Sequence, residues 1–561
     1  MIQRIQELVA PFLPSGAPLV IEIPTELKFG HYSTGVALKL GKELKKSPLA
    51  IAEELRDKLV AAHGDFFEKI EVAPPGFVNF WLSKDVLYEE LVLVSREKSD
   101  YGRSAIGKGQ TVIVEYSDPN IAKRMHVGHL RATIIGDAIA NIHSFLGYKV
   151  IRWNYLGDWG TQFGKMIAAY KLWGKKEEVK KNPIESLQAL YVKFHEKMKK
   201  QPELENRGRE EFRKLETGNA ENRKLWEWFK KESLKEFDKI YKTLGVHFDV
   251  EIGESFYEKD LIPLVQDLVS RGFAKTSEGS IIVPLDSQSL PPALVQKSDG
   301  GSLYLTRDIA NIAYRLKKYH PAKILYVVGN EQSLHFEQLF AVARLIGMEL
   351  PVVAHLKYGL VLGKDSKKLA TREGKTILLE DVIRKVIELA RGIVEEKNPE
   401  LSGVEKNKVA AAVGVGALKY NDLKENRHSD IVFDWERMLS LEGNSAPYLL
   451  YTYTRLTSIL RKAKVGKFDP RRLEKPLDFE LVLKLIQFPD VIQKVALTYF
   501  PHFLAEYLYG LAKTINYFYQ TEPVLKAPDG IREARLGLIR SLGYVMETGL
   551  GLLGINVVSR M

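Results

Sequence analysis

The sequence predicts an α/β protein: a parallel-sheet core with a small α+β unit before it and an all-α bundle after it. Three observations carry this. Residues 111–154 read as strand, helix and strand at lengths that suit a parallel crossover. A second strand–helix unit recurs over 323–346. Beyond residue 376 the apolar spacing is almost wholly helical, and within 447–561 the 3.6-residue period repeats.

The first unit spans 1–105. Ile2–Phe12 and Ser47–Ala62 carry helical spacing, and Leu19–Ile23, Lys69–Val72 and Phe77–Leu82 read as strands. The last of these, in PPGFVNFWLS (74–83), alternates apolar and polar residues and is rich in aromatics. It reads either as an edge strand with one packed face or as an aromatic platform for single-stranded nucleic acid. Gly102, Gly107 and Gly109 mark the boundary.

The core opens on Thr111–Glu115, a buried-looking strand, and turns through Ser117, Asp118, Pro119 and Asn120. A helix over His129–Leu146 follows, closed by Gly147 at a C′ position. Next come the strand Lys149–Asn154 and the turn Gly157-Asp158-Trp159-Gly160. Residues 175–245 are highly charged, and Asn222–Leu244 keeps an apolar stripe at Leu225, Phe229, Leu234, Phe237, Ile240 and Tyr241. This reads as a helical insertion between two halves of the sheet. Strand-like pieces return at Ser280–Leu285 and Ser302–Leu305, then a strand at Lys323–Val328, a helix at His335–Ile346 and a strand at Val352–Tyr358. A glycine-bounded, lysine-rich loop, GLVLGKDSKKLATREGKT, fills 359–376. In the helical remainder Val495–Tyr519 shows the period well. The expected domains are 1–105, 106–400 with an insertion at about 175–300, a helical connector at 401–446, and a bundle at 447–561.

Composition sets bounds. A chain of 561 residues with 45% hydrophobic content can bury several cores. The net charge of +11 and pI near 9.2 favour a polyanionic partner. There is no cysteine, which excludes disulfides, thiolate nucleophiles and cysteine-based zinc sites. No metal-ligating cluster stands out. No stretch reaches the roughly 18–20 apolar residues of a membrane span, and the first residues lack the apolar run of a signal peptide. A soluble, cytoplasmic protein without membrane contact is expected.

The chemistry concentrates at His126-Val127-Gly128-His129. A strand, a polar turn and a helix N-terminus together make an anion site, because free N–H groups and the positive end of the helix dipole point at it. In open parallel sheets ligands bind where strands give way to helices. The same histidines also read as satisfied core residues.

In these blocks the chain resembles the class I aminoacyl-tRNA synthetases, and among them the arginyl-tRNA synthetases. SDPNIAKRMHVGHLRATIIGDAIANI (117–142) and NYLGDWGTQFG (154–164) resemble that family's signature region, with its HIGH-type motif at His126–His129. GESFYEKD (253–260), KSDGGSLYLTRDIANI (297–312) and YVVGNEQSLHFEQ (326–338) resemble its later blocks.

The resemblance implies a Rossmann-type catalytic core, an N-terminal tRNA-contacting domain and a C-terminal anticodon-binding bundle. It implies an enzyme that activates L-arginine with ATP and Mg2+ and transfers it to the 2′-hydroxyl of the terminal adenosine of tRNA(Arg). The first step itself requires tRNA in that family. A monomer is expected. Activation of this kind needs alignment and charge stabilisation more than a protein nucleophile.

His126, Gly128, His129, Lys123, Lys364 and Arg372 are implied to bind ATP, with His126, His129, Lys123, Lys367 and Lys368 catalytic. The loop GKDSKKLATREG departs from the family's KMSKS pattern, and Lys123, just ahead of the HIGH motif, is placed to supply the missing charge. A guanidinium pocket needs carboxylates set for bidentate contact. Glu254, Tyr304, Asp308 and Gln332 are implied to hold the arginine side chain, and Glu115, Ser117 and Asn120 its backbone end, with His335 in the wall. Asp308, at an expected strand-to-helix junction, also reads as an ordinary helix N-cap. Phe77 and Asn79 fall where the family contacts the tRNA D-loop, although Pro74 departs from some relatives. Tyr448 and Tyr451 open the expected anticodon bundle.

Two other classes compete. One is a nucleotidylyltransferase sharing the HxGH phosphate site, which would not need residues 447–561 or the acids Glu254 and Asp308. The other is a non-catalytic RNA-binding relative, favoured only by the altered loop.

Overall fold

The computed structural model describes residues 1–298, 304–363, 377–463 and 466–561. The N-terminal unit contains α1 (Ile2–Val9), β1 (Tyr32–Thr34), α2 (Val36–Leu44), α3 (Pro48–His63), β2 (Phe67–Ala73), β3 (Phe77–Leu82) and α4 (Lys84–Glu97). Its antiparallel sheet runs β1-β3-β2. Leu19–Ile23 is not a strand: prolines at 18 and 24 remove donors on either side, and only Glu22 bridges to Ser33.

The core contains β4 (Thr111–Glu115), α5 (Val127–Phe145), β5 (Lys149–Leu156) and α6 (Thr161–Trp173). The insertion follows as α7 (Lys176–Lys181), α8 (Pro183–Met198), α9 (Glu203–Glu216) and α10 (Ala220–Leu244). Next are β6 (Val250–Gly253), α11 (Glu258–Ser270), and β7 (Lys275–Ser277), β8 (Ser280–Val283) and β9 (Ala293–Gln296), a small antiparallel sheet. Then come α12 (Tyr304–Tyr319), β10 (Lys323–Tyr326), α13 (Ser333–Leu345), β11 (Val352–His355) and β12 (Val361–Leu362). The helices α14 (Leu379–Lys397) and α15 (Gly403–Leu423), the short β13 (Ile431–Val432) and α16 (Trp435–Met438) lead to α17 (Ala446–Arg461), α18 (Pro476–Thr498), α19 (His502–Thr521) and α20 (Ile531–Leu552).

The central sheet is five-stranded and parallel, in the order β11-β10-β4-β5-β6. The chain runs outward from β4 to β5 on one side and returns at β10 on the other. The crevice beyond the ends of β4 and β10 is therefore the topological switch point. Helix α5, which fills that crossover, is buried on nearly every face, including Arg131, Asp137 and His143. Such a helix belongs to a core rather than to a surface.

Several sequence expectations change. Tyr304 and Leu305 lie in α12, not in a strand. Asp308 therefore sits in the second turn of a helix and is neither a junction residue nor an N-cap. The run Val495–Tyr519 is two helices, broken where Tyr499 takes φ +60° and Pro501 follows. The edge strand β6 and the hairpin strands β7 and β9 escaped the reading because they are only three or four residues long, too short to show a period.

The bundle is fastened to the core at buried polar joints. Arg131 of α5 donates to both oxygens of Asp422 in α15, at 2.9 and 3.1 Å, and to the carbonyl of Ser429. Arg427 donates to the Lys357 carbonyl at 2.6 Å and to the Tyr499 carbonyl in the bundle at 3.1 Å. Lys419, 1% exposed, donates to the Gly554 carbonyl at 2.7 Å and lies 4.0 Å from Asp137 of α5. The N-terminal unit docks on the same bundle through Tyr32 to Asp490 at 3.1 Å.

Candidate active site

His126 is the N-cap of α5, in extended backbone at φ −115°. Its Nδ1 accepts the Gly128 N–H at 3.1 Å, and its own N–H donates to His129 Nδ1, also at 3.1 Å. The His126 carbonyl lies farther from that nitrogen, at 3.3 Å. A backbone N–H can only donate, so each Nδ1 accepts and each neutral ring carries its hydrogen on Nε2. Burial, with His126 alongside, lowers the His129 ring to about 4, so it stays neutral near pH 7. The two rings stand 4.0 Å apart at the helix N-terminus. Gly128 is required on steric grounds. A Cβ there would come 2.8 Å from the His126 ring, so the glycine makes room for the histidine itself.

A cleft of ≈ 690 Å³ opens beside the histidines, lined by Pro119, Asn120, Lys123 and, from the insertion, Glu185 and Gln188. Lys123 is exposed on its wall. Lys364, Lys367, Lys368 and Arg372 lie outside the described residues. The flanks of their loop are described. On the entry side β12 pairs with β13. On the return side Val127 N–H meets the Ile377 carbonyl at 3.1 Å and Leu379 N–H meets the Met125 carbonyl at 3.0 Å. The loop thus returns alongside the histidine turn.

Across the switch point four carboxylates gather: Glu115, Asp118, Glu254 and Asp308. Burial raises the first three; Arg315 opposes this at Glu115, Asp308 adds to it at all three, and Glu115 adds to it at Asp118. Burial holds Glu254 up to about 8; Arg307 opposes this, and Asp308 and Asp158 add to it. Asp308 is hydrogen-bonded to His335 Nε2 at 2.7 Å, which draws in the histidine expected in the wall. Tyr304 and Gln332 are exposed at the rim. The buried Tyr155 hydroxyl between these acids has no hydrogen-bond partner among the described residues. Glu115 has its counter-charge in Arg315, and the acids left over suit a positively charged ligand.

Some expected residues are engaged elsewhere. Glu115 is ion-paired with the buried Arg315, whose guanidinium lies 4.3 Å from the Trp153 ring. The Ser117 hydroxyl lies 2.8 Å from Tyr241 and 2.9 Å from Thr133, inside the fold. Asn120 is exposed and pairs with Gly157. In the N-terminal unit Phe77 is 38% exposed, whereas Asn79 is buried and accepts from Ser33 at 2.7 Å. The Asn79 side chain therefore faces its own sheet. In the bundle Tyr448 packs edge-on against Tyr509, and Tyr451 carries the Arg455 guanidinium 4.4 Å above its ring.

Asp118, Tyr155, Arg307 and Arg315 were missed as pocket residues. Asp118 had a signal, since an aspartate next to proline in a turn after a buried strand points to the same crevice. The arginines sit three and eleven residues beyond Tyr304 on one helix, a spacing that resembles any solvated helix face until its partner strand is known.

Residues 90–435 match the model described as tRNA synthetases class I (R), catalytic domain. Residues 449–561 match the DALR anticodon binding domain, and 1–82 the arginyl tRNA synthetase N terminal domain. The chain is 42% identical to an arginine–tRNA ligase of Halothermothrix orenii over 547 residues, 97% of this chain and 95% of that protein. It is 43% identical to one of Clostridium kluyveri, over 97% and 96%. Among solved structures it resembles arginyl-tRNA synthetase of Thermus thermophilus, with TM-score 0.84, 28% identity and full coverage of both chains. It also resembles that of Plasmodium falciparum, with TM-score 0.85, 27% identity, and coverage of 100% and 99%.

Proposed function

The chain belongs to the class I arginyl-tRNA synthetase family, and from that premise we propose how its residues divide the work of an arginine–tRNA ligase. The enzyme uses ATP to activate L-arginine as the adenylate and transfers it to the 3′-terminal adenosine of tRNA(Arg). His126 and His129 bind ATP through Nε2–H groups aimed from the helix N-terminus. They act as neutral donors on the phosphate oxygens as charge builds. Lys123, on the cleft wall, and the loop residues Lys364, Lys367, Lys368 and Arg372 add positive charge.

Asp308 and Glu254 face the guanidinium, with Tyr304 and Gln332 at the rim. Asn120 and Asp118 hold the ammonium end. Lysine lacks the planar donor fork and would leave acceptors unpaired. Among the described residues no three His, Asp or Glu side chains converge as a metal cage. Mg2+ would screen the triphosphate charge by binding the phosphate oxygens.

Phe77 and the Tyr451–Arg455 pair are offered to tRNA as stacking surfaces. No helix among the described residues is long and apolar enough to cross a membrane. A cytoplasmic monomer remains the working expectation. The single observation that carries the site assignment is the meeting of a neutral histidine pair and a four-acid pocket at one switch point.

The test is arginine-dependent ATP–pyrophosphate exchange with and without tRNA(Arg), with lysine and citrulline as controls. Exchange only with arginine, and only with tRNA, is expected. Exchange with citrulline at a comparable rate would sink the acidic-pocket reading. Absence of exchange with tRNA still bound would point to the RNA-binding relative.

A further inference from the structure

Asp158 has no assigned part in the site, yet it is fully buried and grips the segment that carries Glu254. Its Oδ1 accepts the Ser255 N–H at 2.9 Å. Its Oδ2 accepts the Ser255 hydroxyl at 2.8 Å and the Lys230 ammonium at 2.6 Å. The neighbouring Trp159 N–H donates to the Glu254 carboxylate. Gly253 allows this approach, since a Cβ there would lie 2.3 Å from the Asp158 carboxyl carbon. The turn at 157–160 thus holds residues 253, 254 and 255 in succession.

The other side of the grip belongs to the insertion. Lys230 lies on α10 with 24% of its side chain exposed, and Trp226 one turn earlier donates to the Asp158 carbonyl at 2.7 Å. Glu254 itself starts a single 3-10 turn, Glu254–Tyr257, which offers little rigidity of its own.

We propose that Asp158 and Lys230 are positioning residues for arginine selection, fixing Glu254 against the guanidinium and tying that acid to insertion helix α10. This rests on Glu254 being a guanidinium ligand. The charges that face Glu254 are Arg307 and Asp308 from α12 and Asp158 from the turn, with the Tyr155 hydroxyl from β5. Lys230 reaches it only through Asp158. The sign of each variant follows. Asp158→Asn removes a negative neighbour, so Glu254 ionises at lower pH. Lys230→Met leaves Asp158 uncompensated, so Glu254 ionises at higher pH.

The experiment is steady-state arginylation at saturating ATP and tRNA(Arg), with arginine varied between about pH 6 and pH 9. The enzymes are wild type, Asp158→Asn, Lys230→Met, Lys230→Arg and Glu254→Gln. Asp158→Asn should raise the arginine KM about tenfold with kcat within about threefold. It should also move the acidic arm of kcat/KM to lower pH. Lys230→Met should move that arm the opposite way, and Lys230→Arg should restore it. Lys230 is partly exposed, so its pair of variants reads the inference even if Asp158→Asn folds poorly. If Glu254→Gln raises the arginine KM while neither Asp158→Asn nor Lys230→Met shifts the arm, the positioning role is wrong. If Glu254→Gln leaves the arginine KM unchanged, the guanidinium assignment beneath it is wrong.

Discussion

At the scale of single residues, the histidine turn shows how one absent Cβ shapes the chemistry. Gly128→Ala would put a methyl 2.8 Å from the His126 Cε1 and 2.9 Å from its Nδ1. The ring must swing away, and the Gly128 N–H bond that fixes its tautomer is lost. The exchange rate should fall by about 10- to 100-fold, as for loss of one oriented donor. The arginine KM should stay within about twofold, since the acidic pocket lies elsewhere. A large rise in that KM would show that the two halves of the site are not independent. Residue type and spacing singled out the histidines in the sequence, and the family resemblance singled out Glu254 and Asp308. What the sequence concealed was direction. Ser117 and Asn79 are polar residues in suggestive places, but their side chains turn inward to partners 124 and 46 residues away in sequence.

At the scale of elements, α5 joins the site to the rest of the core through the buried Arg131–Asp422 pair. Breaking a buried pair typically costs about 3–5 kcal/mol. The two halves are not equivalent. Arg131→Met leaves Asp422, whose carboxyl is already raised by burial and opposed mainly by Arg131. Left alone it can protonate. Asp422→Leu leaves a guanidinium that cannot shed its charge. Urea midpoints should therefore fall further for Asp422→Leu than for Arg131→Met. A carboxyl with a raised folded-state pKa stabilises below its unfolded value and loses that as pH rises. The Arg131→Met deficit should therefore shrink toward acid pH. Equal deficits at every pH would refute this account.

The strands and long helices of this layer were readable because each shows its own period. The short strands β6, β7 and β9 were not, because only their neighbours make them strands. The break at Tyr499 was hidden by apolar residues on both sides of it.

At the scale of the whole molecule, 82 basic residues against 71 acidic ones set the terms of tRNA capture. Of the acids proposed to hold arginine, Glu254 is buried and Asp308 half-buried, whereas most of the described lysines are solvated. Added salt should weaken tRNA binding steeply, by about tenfold or more between 50 and 200 mM. The arginine KM should change by less than about twofold, because buried pairs are little screened. Filter binding and steady-state kinetics at the same salt series would check both. Parallel losses would place the arginine pocket in open solvent. Net charge was plain in the sequence. The way the three units share one set of buried joints was not, because each joint links residues far apart in sequence.

Those joints bear on how such a chain can change over generations. Lys419 keeps its ammonium dry because the Gly554 carbonyl arrives from the end of the bundle and Asp137 lies on the helix behind the histidines. A bundle borrowed from another protein would strand that cation, and with it the Arg427 link to Tyr499. The part that reads the anticodon and the part that makes the adenylate are therefore not interchangeable modules. A chimera joined between residues 423 and 446 should therefore be less stable unless Lys419 is replaced as well.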